Sequence, residues 1–235
     1  DDTMNSSYID RRGQIQTYFD RTAVDAWKRL TSDAPVGRVR ATVRAGRDRM
    51  RATLLDWLPQ DLRGRKVLDA GCGTGALAVE AARRGAHVVA IDLSPTLVQL
   101  ARERMPEDLN GGEIDFRSGD MLDPALGWFD HVVAMDSLIH YRADDAVRVL
   151  SGLAARTEHS IQFTFPPSTH ALEAMRFIGK FFPRGDRAPS IEPVRETLLH
   201  RLIDEEPALD CMAIGRSQHV SSGFYKSKAL ELCRR

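Results

Sequence analysis

At 235 residues, with 43% hydrophobic and 28% charged side chains, the chain is sized for one α/β domain with a small insertion, not two large domains. Its 33 Lys plus Arg balance 33 Asp plus Glu, so net charge gives no sign of a nucleic-acid binder. Cys72, Cys211 and Cys233 form neither a disulfide framework nor a spaced zinc site and read as reduced thiols of a cytoplasmic protein. No apolar run approaches the roughly 20 residues that span a bilayer. The first residues lack the basic and apolar regions of a signal peptide, and Met4, after Asp1, Asp2 and Thr3, reads as the natural start.

From Ile9 to about Trp57 the pattern is helical. Tyr18, Phe19, Val24, Trp27 and Leu30 form a first apolar set, broken at Pro35 and Gly37; a second helix is predicted from about Arg38 to Leu58, stopping at Pro59. The stretch Asn5–Leu30 is aromatic and rather polar, as suits a segment lying across a site. Alternation follows: strand 66–70, a helix from about Ala76 to Arg84 ended by Gly85, strand 87–91, a helix from Pro95 to Met105, then strands 114–117 and 129–135. A helix over 143–156 and a fifth strand over 160–165 complete the series. Repeated strand–helix units imply a parallel sheet with helices on both faces and ligands at the carboxyl ends of its strands. Residues 166–205 break the rhythm, with helical stretches near Ser168–Phe182 and Glu192–Ile203 around Pro183–Pro189; they read as a helical cap inserted between strands five and six. The end, around 209–217 and 223–232, reads as an antiparallel hairpin with Gly223 near its turn. The expected divisions are a helical arm over 1–58, a nucleotide-type core over 59–165, the cap over 166–205 and closing strands over 206–235.

The strongest motif is Val67-Leu-Asp-Ala-Gly-Cys-Gly-Thr-Gly75. Here a buried strand must turn sharply into a helix and leave room for a ligand, and Gly71, Gly73 and Gly75 permit the turn and close backbone approach. The G-x-G-x-G spacing differs from the dinucleotide G-x-G-x-x-G. Asp69, inside the motif, would repel a pyrophosphate but can answer the ammonium of a methionine moiety. Asp92, with Leu93 beside it, ends the second strand, where an acid can accept both ribose hydroxyls; its other reading is a helix N-cap, for which Ser94 is better suited. After the third strand, Asp120 can accept from an adenine amino group while Met121 packs on the ring.

Together these features resemble the class I S-adenosylmethionine (SAM) dependent methyltransferases over roughly Arg65 to Phe165. The resemblance implies a Rossmann-like seven-stranded sheet with an antiparallel last strand, and SAM as methyl donor. Four further stretches, Tyr18-Phe-Asp-Arg-Thr-Ala-Val-Asp-Ala-Trp27, Met135-Asp-Ser-Leu-Ile-His-Tyr141, Phe163-Thr-Phe-Pro-Pro167 and Ser222-Gly-Phe-Tyr-Lys226, occur in an order similar to the magnesium-protoporphyrin IX O-methyltransferase family of bacteriochlorophyll and chlorophyll biosynthesis. That narrower resemblance implies esterification of one propionate of a magnesium porphyrin, with His140 and Tyr18 as catalytic residues. Asp136 is placed either to contact the SAM amine or simply to end its strand.

A propionate, with a pKa of about 4 to 5, is ionised at neutral pH and needs no strong base, so His140 and Tyr18 are expected to position it. Magnesium is expected only inside the substrate, since no Cys/His/carboxylate cluster has metal-ligand spacing. The cap combines Leu172, Met175, Phe177, Ile178, Phe181 and Phe182 with Arg176, Lys180, Arg184 and Arg187. That surface suits a porphyrin with carboxylate side chains, or simply packs its apolar face on the sheet. The same reading brings in the porphyrin-binding subunit of magnesium chelatase as a partner and peripheral attachment to the photosynthetic membrane. Two alternatives stay open: another small acceptor such as a quinone precursor, and a non-catalytic SAM or porphyrin carrier.

Overall fold

Strands buried on both faces should read as continuous apolar runs, and 66–70, 87–92 and 129–134 do. In the computed structural model, which describes residues 2–22, 24–33, 35–168 and 191–235, they form the middle of one seven-stranded sheet. The strands are β1 (Lys66–Ala70), β2 (His87–Asp92), β3 (Glu113–Ser118), β4 (Phe129–Ala134), β5 (Thr157–Phe165), β6 (Met212–Ser222) and β7 (Tyr225–Arg234), in spatial order β3-β2-β1-β4-β5-β7-β6. The first five are parallel; β7 runs antiparallel to β5 and to β6. The predicted Rossmann-like sheet with its antiparallel last strand is present.

Side-chain alternation sends Leu68, Ala70, Val89, Ile91, Val132 and Ala134 to one face and Val67, Val88, Ala90 and Val133 to the other. The first face is covered by α6 (Ala143–Ala154) and α7 (Glu196–Glu205). The second carries α3 (Arg38–Trp57), α4 (Ala76–Arg83) and α5 (Pro95–Arg104). Helix α7 begins four residues later than expected, because Pro167 and Val194 form a parallel bridge first. Its Leu199 and Ile203, one turn apart, are buried in the α6 layer, stabilising it by roughly 2 kcal/mol each. So 196–205 is a sheet-covering helix; the cap helix expected at 168–182 and the cations at 176–187 lie outside the described residues, except Ser168.

The arm is more articulated than one helix. Helix α1 (Asp2–Thr17) passes into a π-helical turn, Tyr18–Thr22, and then α2 (Val24–Leu30). Such turns widen the backbone ladder and recur at functional sites.

On the interior strand β4, toward the strand ends away from the glycine loop, His131 is buried, its Nδ1 2.7 Å from Ser160 Oγ. Burial, then the neighbouring His159, push the imidazole down to about 4. Below pH 6.5 the unfolded chain takes a proton here that the folded chain refuses, so this contribution is full above pH 6.5 and lost as pH falls toward 4. Denaturant titrations of wild type and His131→Gln should show the wild type losing about 3 kcal/mol more between pH 7 and pH 4.

Candidate active site

The chain leaves β1 through Ala70 and reverses at Gly71, whose φ of 81° is left-handed, as are Gly73 at 53° and Gly75 at 85°. The Gly71 and Cys72 amides both donate to Ile91 O, at 2.8 and 2.9 Å, locking the loop to β2. A Cβ on Gly71 would lie 2.3 Å from Ser137 Cβ, so only glycine lets the β1 and β4 loops meet. Above this loop a cavity is lined by Gly71, Gly73, Asp92, Leu93, Asp120, Met121, Asp136, His140 and Tyr18, among others. The structure therefore gathers nine of the eleven expected site residues around one space.

The other two lie just outside its wall. Asp69 shares the face of Val67 by strand alternation and is 2% exposed beneath the loop, served by the Ala78 amide of α4. Burial, then the nearby Asp92 carboxylate, push it up to about 7. Its Oδ2 has no hydrogen-bond partner among the described residues. Gly75 faces Phe116 and Ala101, where a Cβ would come within 3.1 Å of the ring; its absent side chain serves helix packing.

Asp92 lines the cavity while holding two amides, Gly73 N at 2.9 Å on Oδ2 and Ser94 N at 3.0 Å on Oδ1; burial raises its pKa. Ser94 is the N-cap of α5, accepting from Leu97 N at 3.2 Å, so Asp92 is not needed for that. Asp120 accepts from the Leu122 amide at 2.9 Å and from two residues that the sequence did not flag: Tyr8 Oη at 2.8 Å and Arg12 Nη1 at 2.6 Å, both on α1. Tyr8 also stacks on Tyr141, ring centroids 5.2 Å apart. Residues four apart on a helix share a face, but nothing in the sequence says where that face docks.

Asp136 sits at φ 52° and is surrounded. Arg47 Nη1 of α3 donates to Oδ2 at 2.7 Å, Tyr225 Oη of β7 lies 2.9 and 3.1 Å from its two oxygens, and Thr164 Oγ1 donates to Oδ1 at 3.0 Å. It thus does more than end a strand. Arg47 in turn rests on the Trp27 ring, 4.7 Å from its centroid. The arm is fastened at Asp20, whose Oδ1 accepts from Ser94 Oγ at 3.1 Å and Thr96 N at 3.0 Å at the positive end of α5.

His140 is 6% exposed on the β4–α6 loop, its ring 6.0 Å from that of Phe19. Tyr18, 3% exposed, begins the π turn, and burial drives its hydroxyl pKa upward. Such a phenol stays protonated at neutral pH: a donor, not a base. The re-entering chain closes this side, Glu192 N donating to Ile139 O at 2.8 Å.

These residues fit SAM. The Asp92 carboxylate adds to burial in raising the proton affinity of Asp69, a tension that a cationic ligand relieves and a pyrophosphate would worsen. Acids stand at the ends of β2, β3 and β4, around a loop that admits a backbone-close ligand. Among the described residues no group of three or more His, Cys, Asp or Glu could hold a metal ion.

A family profile described as magnesium-protoporphyrin IX methyltransferase C-terminus matches residues 134–234, and one described as a methyltransferase domain matches 67–159. Over 229 residues the chain is 50% identical to magnesium-protoporphyrin O-methyltransferase of Rhodobacter capsulatus, covering 97% of this chain and 99% of the relative. It is 30% identical over 234 residues to the Synechocystis enzyme of that name, covering 98% and 100%. The crystal structure of magnesium protoporphyrin IX methyltransferase from Synechocystis PCC 6803 with bound SAH aligns at a TM-score of 0.80 and 29% identity, over 94% of this chain and 98% of that one. The chain belongs to the magnesium-protoporphyrin O-methyltransferase family.

Proposed function

We propose that the protein transfers the methyl group of SAM to a propionate carboxylate of magnesium-protoporphyrin IX, giving the monomethyl ester and S-adenosylhomocysteine (SAH). The observation that carries this reading is the 50% identity over 97% of the chain, which runs through the arm, the cavity and the final hairpin as well as the methyltransferase core.

Bound at the glycine loop, SAM supplies an electrophilic sulfonium methyl. Asp92 receives the ribose and Asp120 with Met121 the adenine. The acceptor is already an anion at neutral pH, so the residues need only align oxygen with methyl and keep water out. Tyr18 and His140 do this by hydrogen bonding the carboxylate. Donation to both oxygens would damp nucleophilicity, so one oxygen is held and the other left to attack. The arm, pinned by Asp20 and by Tyr8 and Arg12 on Asp120, covers the reacting atoms and opens for the macrocycle.

The reading extends to the surroundings. The porphyrin-binding subunit of magnesium chelatase is the natural donor of a magnesium porphyrin. Val39 and Phe224, exposed beside the cavity residues Arg40 and Tyr225 in sequence, support peripheral attachment to a membrane; no helix of the described residues is long and apolar enough to cross one. Incubation with SAM and magnesium-protoporphyrin should yield a pigment heavier by one methylene, by mass spectrometry. A pigment of unchanged mass at saturating substrates contradicts the proposal.

A further inference from the structure

Resting on the porphyrin reading, we infer that Lys226 binds the second propionate of the substrate, the one that keeps its charge, and so selects a dicarboxylate acceptor.

The need comes from the acceptor. A protoporphyrin carries its two propionates on neighbouring pyrroles along one edge, so both enter the cavity together. One gives up its charge to the methyl group; the other stays an anion throughout at neutral pH. Set against apolar side chains such as Ile139, Pro166 and Ile191, that anion needs a cation to offset its lost hydration.

Three Lys or Arg side chains line the cavity among the described residues: Arg40, Arg47 and Lys226. Arg47 is neutralised by Asp136, and Arg40 already has a partner. Lys226 differs. Half-buried, its ammonium donates to a neutral hydroxyl, Ser221 Oγ, at 3.2 Å, and meets no carboxylate among the described residues. Lys228, two residues on, makes the contrast: its ammonium is taken by Glu196 of α7.

Strand alternation decides which side Lys226 serves. Tyr225 turns toward α3, where a Cβ on Gly46 would fall 2.5 Å from its ring, and its hydroxyl goes to Asp136. Lys226, next along β7, therefore faces the other side with Lys228, Leu230 and Leu232. That is the side of α7 and of the re-entering chain, where Glu192 N bonds Ile139 O one residue before His140. The register sets its height. Phe165 pairs with Lys228, so Lys226 stands two residues, about 7 Å, beyond the end of β5 at the ligand end of the sheet. A Cβ on Gly223 would lie 2.4 Å from Thr42 Oγ1, so α3 holds the hairpin tip closely. The backbone that carries Lys226 is thus fixed, while its flexible four-carbon stem can follow the macrocycle.

Methyl-transfer kinetics on the full chain should compare magnesium-protoporphyrin with the reactive isomer of its monoamide, in which the remaining propionate is neutral. Wild type should show a KM about tenfold higher for the monoamide, the scale of one charge-assisted bond. Lys226→Met should raise the diacid KM about tenfold, and leave the monoamide KM and the SAH dissociation constant within about twofold of wild type. If Lys226→Met does not melt cooperatively, Lys226→Gln, which can keep a bond to Ser221 without the charge, should show the same selective loss. An unchanged diacid KM, or equal rises for both acceptors, overturns the assignment. Wild-type protein that transfers no methyl to magnesium-protoporphyrin overturns the porphyrin reading, and this inference with it.

Discussion

Replacing His140 by alanine is expected to lower kcat about a hundredfold while leaving the SAH dissociation constant within about twofold. His140 lines the cavity and is fixed by burial and by the Phe19 ring. The carboxylate needs no deprotonation, so the loss is one of alignment. Tyr18→Phe, which keeps the ring, should cost about tenfold. The buried Tyr18 hydroxyl holds its proton, so this loss should not be recovered by raising the pH. Single-turnover rates alongside SAH calorimetry separate the steps. Activity of His140→Ala restored at alkaline pH would mean proton abstraction instead, and a matching loss of SAH affinity would place His140 in the nucleoside site.

Gly71→Ala should weaken SAH binding by about a hundredfold and lower Tm by several degrees. A left-handed alanine, with φ at 81°, and a Cβ 2.3 Å from Ser137 Cβ act together. About 3 kcal/mol of strain and displacement is of that order. Ser137 cannot easily yield, because its Oγ donates to Ala70 O at 2.8 Å. Gly73→Ala makes the informative comparison: there the new methyl meets Trp27 Nε1 at 3.5 Å, an ordinary contact. Its effect should be smaller than that of Gly71→Ala. Equal effects would show that the loop conformation, and not the β1–β4 approach, is what matters.

The central sheet was legible because parallel strands announce themselves as apolar runs, and the glycine loop because only glycine supplies three left-handed turns in five residues. Helix α3 and the N-cap Ser94 were legible through their breakers and caps. Strand β5 starts at Thr157, not at Ser160, since the exposed Glu158 and His159 mask the run. The π turn at Tyr18–Thr22 left no periodic mark. The partners of the acids escaped for a different reason. Tyr8 and Arg12 with Asp120, or Arg47 and Tyr225 with Asp136, are separated by 89 to 112 residues, and a local pattern cannot state which distant cation neutralises which acid. For Asp69 the motif suggested contact with the ligand, and what the sequence did not convey is its burial under the loop, just outside the cavity wall.

The most direct measurement is transfer of isotope from methyl-labelled SAM to pigment, with magnesium-protoporphyrin and metal-free protoporphyrin compared at equal concentration. One labelled methyl is expected on the magnesium porphyrin, released by mild alkali as an ester should be, with SAH formed in equal amount. Label that stays in SAM in the presence of saturating magnesium-protoporphyrin would contradict it.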